Sequence, residues 1–97
     1  MSLHPVQAIV TKFIGPSNTK GSRIKATAAT GSLTIHIDHA LSIEDNHARA
    51  AEALANKWSW RGQWFMGGMP DGHGYCFVCE TGIHYGSEAA FATLGGK

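Results

Sequence analysis

Hydrophobic and polar positions alternate with a period of two over much of the first third of the chain. From Val6 to Ile14 most residues are β-branched or aromatic (Val6, Ile9, Val10, Thr11, Phe13, Ile14), which predicts a strand with substantial burial on both sides. Gly15 and Pro16 end it, and Ser17 to Ser22 is a polar loop whose side chains compete for backbone hydrogen bonds. Alternation then resumes. Ile24, Ala26 and Ala28 oppose Arg23, Lys25 and Thr27; beyond a Thr30-Gly31 turn, Leu33, Ile35 and Ile37 oppose Thr34, His36 and Asp38. This pattern predicts a hairpin with one wet face.

At Ser42 the period changes. Ser42 suits a helix N-cap, Glu44 and Asp45 place negative charge in the first turn, and His47, Ala50, Ala51, Leu54 and Trp58 form one helical stripe. Arg61 and Gly62 suit the helix end. Trp64 to Met66 opens another extended segment, Met69-Pro70-Asp71-Gly72 reads as a turn, and Tyr75 to Glu80 as the return strand. The expected architecture is α+β: a single antiparallel sheet of about five strands, with two hairpins and one principal helix packed on one face. The reading covers residues 1–97 as one small domain, with 81–97 a C-terminal extension in which Ser87 to Leu94 could form a short second helix.

Composition narrows the class. At 97 residues there is room for one core; 43% hydrophobic and 15% charged residues separate the chain from disordered sequences. No run approaches the ~18 apolar residues of a membrane span, so no membrane partner is expected. The N-terminus lacks the blocks of a secretory signal, which makes the cytoplasm the default expectation and favours free thiols over a disulfide for the two cysteines. A small two-hairpin sheet leaves edges, and a homodimer that pairs or covers them is as compatible with the sequence as a monomer.

The overall charge of +1 conceals an asymmetry. Residues 1–37 hold Lys12, Lys20, Arg23 and Lys25 and no acid, a net +4, whereas the remainder carries −3. A basic surface follows if the fold gathers these residues. With Thr19 and Ser22 as hydroxyl donors, Lys12, Lys20, Arg23 and Lys25 form a candidate nucleic-acid-binding set, because backbone contacts need only donors and positive charge on one surface. The loop is no phosphate-binding P-loop: the order is Lys20-Gly21-Ser22 and a strand follows instead of a helix. Nor does the wet face of the hairpin offer the aromatic pairs by which RNA-recognition sheets stack bases.

Other candidates have bland readings. His73-x2-Cys76-x2-Cys79-x4-His84 has ligand types suited to zinc. Yet Phe77-Val78 reads as strand interior, which would send Cys76 and Cys79 to opposite faces and make them apolar-like strand residues. His36 and Asp38 could be an acid/base pair, but no nucleophile accompanies them and a strand-to-helix junction follows. His47 on the apolar stripe reads as a hydrogen-bonded, half-buried residue. Trp58, Trp60 and Trp64 read as packing around the helix end, with an exposed member able to anchor a partner. The expectation is a non-enzymatic protein with no catalytic residues, metal or cofactor; the alternative to nucleic-acid binding is an adaptor or inhibitor docking a host protein through a sheet edge or an exposed Trp/Met patch.

The segments from Thr11 to Ala26, Asp38-His39-Ala40-Leu41 with Glu44-Asp45-Asn46-His47, and Gly67-Gly68-Met69-Pro70 with Gly74-Tyr75-Cys76-Phe77-Val78 together carry a resemblance. Over about residues 6–79 the chain resembles a group of uncharacterised small proteins encoded in bacterial, mainly proteobacterial, genomes and on plasmids and prophages. The resemblance implies an accessory role, acting on nucleic acid or on another protein, and brings no catalytic or binding residues with it.

Overall fold

The computed structural model describes residues 8–80 and 90–94. In chain order the elements are β1 (Ala8–Ile14), β2 (Arg23–Ala28), β3 (Gly31–His36), α1 (Ile43–Lys57), β4 (Arg61–Gly68), β5 (Gly74–Glu80) and β6 (Phe91–Leu94). The strands form one sheet in the order β3-β2-β1-β5-β4-β6, with every pairing antiparallel. The two expected hairpins, β2–β3 and β4–β5, are present, and β1 lies between them, paired to β2 on one side and β5 on the other.

The helix touches all six strands, the edge strands β3 and β6 included. Six strands about 4.8 Å apart span some 24 Å, more than twice the ~10 Å width of a helix, so the sheet must curl around α1 to bring both edges against it. Ile9, Ile24, Ala26, Trp64, Phe77 and Cys79 of the sheet meet Ala50, Ala51, Leu54 and Ala55 of the helix in one core. Alanine on the helix stripe is what allows this close approach. The opposite face of the sheet has no covering layer among the described residues.

That one-sidedness corrects the expectation for β1. Burial alternates over residues 8–12, with Ile9 and Thr11 fully buried while Val10 and Lys12 are exposed; Phe13, on the inward side opposite Ile24, is 42% exposed near the strand end. β1 is a central strand, paired on both edges, yet only one of its faces has a helix to pack against. The start expected at Val6 lies outside the described residues.

A second correction concerns the strand count, which is six where about five were expected. Residues 91–94, read as part of a short helix, instead pair with β4: Trp64 lies opposite Phe91 and Gly62 opposite Thr93. The Phe91 ring stacks on Trp64 at 5.8 Å, and the Trp64 indole N–H donates to Thr93 Oγ1 at 3.0 Å. Four residues are too few to show a period, and the tertiary partner on Trp64 decides their conformation. The remainder of the expected helix, residues 87–89, lies outside the described residues.

The helix begins as expected and ends earlier. Ser42 Oγ accepts from the Asp45 N–H at 3.1 Å, and Glu44 and Asp45 sit in the first turn. At the other end Ser59 N–H donates to the Asn56 carbonyl and Trp60 N–H to that of Ala55, with Ser59 in the left-handed region at φ 58°. This is a Schellman stop built with serine at the position glycine prefers. Arg61 and Gly62, expected at the helix end, belong to β4. Trp58, placed on the buried stripe by periodicity, is the C-cap and 40% exposed.

The β2–β3 turn is formed by Ala29 and Thr30, and Gly31 opens β3. In β5, a side chain at Gly74 would run into the Thr11 carbonyl oxygen, so this strand start accepts only glycine.

Candidate nucleic-acid interface

The uncovered face of the sheet gathers three of the four expected cations through strand register. Lys12 in β1 lies directly opposite Lys25 in β2, and Ile14 opposite Arg23; Arg23 in turn faces His36 of β3, and Lys25 faces Thr34. Directly opposed residues point to the same side with Cβ atoms about 5 Å apart. Lys12 and Lys25 are exposed and Arg23 is half-buried. No acid occurs in β1, β2 or β3.

Lys20 joins the group from the loop. The loop is closed by the Ser17 N–H on the Lys20 carbonyl at 2.7 Å and the Lys20 N–H on Ser17 Oγ at 3.2 Å. The Arg23 guanidinium folds back so that Nε donates to the Gly21 carbonyl at 3.3 Å. Between loop and strands lies a cleft of about 500 Å³ lined by Thr19, Lys20, Gly21, Arg23, Thr34 and His36. Thr19 and Lys20 thus come together with Arg23, and Lys12 and Lys25 continue the patch across the sheet. Ser22 does not line the cleft: it is half-buried, and its carbonyl accepts from the Ile37 N–H at 3.1 Å. Thr34 and His36 are additions. Their place on the wet face was visible in the alternation, but their position beside Arg23 and Lys25 depends on the β2–β3 register.

On the other side of Lys12 a smaller hollow of about 240 Å³ lies at the β4–β5 turn, walled by Val10, Met69, Asp71 and His73. Asp71 shares this hollow with Lys12, and its Oδ1 accepts from the His73 N–H at 2.9 Å. Among the described residues no ion pair involves Lys12, Arg23 or Lys25.

The covered face holds a separate polar grouping. Thr11 Oγ1 and His47 Nδ1 are 2.7 Å apart, with both residues buried. The edge of the His47 ring meets Tyr75 at 4.8 Å, and the Tyr75 hydroxyl donates to Glu44 Oε2 at 3.4 Å. Burial pushes the His47 pKa below its usual 6.5, and the Glu44 carboxylate opposes that shift in part. His47 was expected to be hydrogen-bonded and half-buried; it is hydrogen-bonded and only 2% exposed.

The remaining candidates are dispersed. His36 and Asp38 form no pair: Asp38 lies past the end of β3, its Oδ1 accepts from the Ala40 N–H, and its backbone N–H and carbonyl both bind the Asn46 side chain. Cys76 and Cys79 form no disulfide and lie on opposite faces of β5, Cys79 in the core. His84 lies outside the described residues, and among those described no cluster of three His, Cys, Asp or Glu could hold a metal ion. Trp64 is buried, Trp60 stacks on it at 6.0 Å and Met66 packs on the core, so these residues form no exposed patch with Trp58. No helix among the described residues is long and apolar enough to cross a membrane.

No protein-family model, curated protein or solved structure matches the chain. The functional reading therefore rests on the geometry of the open face.

Proposed function

We propose that this protein binds nucleic acid through its phosphate backbone, using Lys12, Arg23 and Lys25 on the open sheet face and Lys20 with Thr19 in the adjoining loop. The observation that carries the reading is the cross-strand pair of Lys12 and Lys25. Like charges directly opposed on a sheet destabilise it by up to about 1 kcal/mol, and Arg23, two residues from Lys25 on the same side of β2 and opposite His36, extends the basic patch. A row of phosphates would turn that repulsion into attraction. Such binding is driven by release of counterions and needs no base-specific contact. It suits a non-enzymatic accessory role, the kind the resemblance to plasmid- and prophage-encoded proteins implies.

The test is the salt dependence of binding to random-sequence nucleic acid. Neutralising four phosphates gives a slope of roughly −3.6 on duplex or −2.8 on single strands, so affinity should fall about 150-fold or 50-fold between 50 and 200 mM salt. Lys20→Ala combined with Arg23→Ala should halve the slope. Absence of binding at the lower salt, to any form of nucleic acid, would sink the proposal.

A further inference from the structure

The open face is divided. The outward positions of β2 and β3 are polar or charged throughout, as befits a wet face: Arg23, Lys25 and Thr27, then Ser32, Thr34 and His36. At the middle of β1, β5 and β4 the outward positions depart from this rule, between Lys12 at one side and Gln63, paired with Glu80, at the other. Val10 lies opposite Cys76, Cys76 opposite Gly67, Ala8 opposite Val78 and Val78 opposite Phe65. Val10 and Val78 are 37% and 38% exposed. Gly67 opposite Cys76, and Gly74 opposite Lys12, leave bare backbone beside this strip. The boundary between the two halves runs through β1, where Lys12 and Val10 are two residues apart on the same side, about 7 Å along the strand.

We infer that the nucleic acid bound here is single-stranded, with its phosphates on the Lys12, Lys25 and Arg23 row and its bases laid on the Val10, Cys76 and Val78 strip. The inference rests on the nucleic-acid reading above and specifies its substrate class. An unpaired nucleotide presents an anionic phosphate and an apolar base face side by side, and the two halves of this face lie side by side in the same way. In a duplex the base faces are stacked on one another, so the apolar strip would stay uncovered while only the basic row was used. Val10, Cys76 and Val78 offer aliphatic and thiol surface, with the half-buried Phe65 beside Val78 as its one aromatic member, which predicts sequence-tolerant contact weaker than stacking on paired aromatic platforms.

The experiment compares three labelled probes of about 12 nucleotides, within the range that single-strand-binding folds cover: an oligothymidine strand, an abasic strand with the same number of phosphates, and a duplex. The oligothymidine should bind about tenfold more tightly than either other probe. In Val10→Thr with Val78→Thr, which preserves β-branched shape, that preference should disappear while the salt slope is unchanged; Lys25→Gln should lower the slope and leave the preference. Equal binding of all three probes by the native protein would overturn the single-strand assignment and leave the backbone reading standing. Binding of none would overturn both, and the face would then suit an acidic, apolar protein segment.

Discussion

His47 shows what burial does to a single side chain. Its ring is held between sheet and helix by Thr11, 2.7 Å from Nδ1, and by the edge contact with Tyr75. Burial disfavours the charged form, and the one facing carboxylate, Glu44, offsets this only partly. The folded protein therefore resists protonation that the unfolded chain accepts near pH 6.5. Stability contributed by the neutral ring is fully present above that pH and declines as pH falls toward the lowered folded-state pKa, by at most about 1.4 kcal/mol per unit. Thermal melts across this interval should show the decline, and His47→Asn, which keeps a polar atom near Nδ1 and does not titrate, should flatten it. An unchanged slope in the variant would assign the effect to another group. Asn46, next in the chain, is as deeply buried, and its amide spans the gap between strand and helix: Oδ1 accepts from the Asp38 N–H at 2.8 Å, while Nδ2 donates to the Asp38 and Ser42 carbonyls at 3.0 and 2.9 Å. Nothing in the pattern of apolar positions distinguished it from an exposed helical asparagine.

Among the elements, α1 was the most legible, since both its stripe and its N-cap are local properties. Its end was misplaced because the stop is a backbone device. Periodicity continues through Trp58, but the amides of Ser59 and Trp60 turn back onto the Asn56 and Ala55 carbonyls. Holding a non-glycine residue at φ 58° costs about 1 kcal/mol. Ser59→Gly should stabilise the fold by about 0.5 kcal/mol after the added flexibility of the unfolded chain is counted. Chemical denaturation should show a higher midpoint with an unchanged m-value; a lower midpoint would mean the serine side chain has a role the backbone does not reveal. β6 lay at the other extreme of legibility. Its two inward residues acquire meaning only against Trp64, through the Phe91 stack and the Thr93 hydroxyl.

For the whole molecule, one helix against a six-stranded sheet leaves a full face of the sheet without a covering layer among the described residues. On that face stability and the proposed function pull in opposite directions. Lys25→Glu would convert the repulsive Lys12 pair into an attractive one, which should raise stability by about 0.5 to 1 kcal/mol. The same change removes one phosphate contact and introduces a repelling charge, and should weaken nucleic-acid binding at least tenfold, an estimate based on lost counterion release. Paired melting and binding measurements test this. A variant that is more stable and still binds as tightly would show that the basic row is not the binding surface.

The alternation around Ile24 and Leu33, the stripe from His47 to Leu54 and the turn at Pro70 are local patterns, so the chain alone specified one sheet, one helix and two hairpins. It also placed Arg23 and Lys25 on a common strand face and separated Cys76 from Cys79. The tertiary structure decided everything that depends on register. β1 pairs between the hairpins, which sets Lys12 against Lys25 and Val10 against Cys76, while a sixth strand closes over Trp64. Strand neighbours distant in sequence are chosen by the joint packing of all inward residues on the helix, and a shift of one residue would carry every side chain of a strand to the other face. Local pattern holds no record of that choice, and the basic row beside the apolar strip is its product.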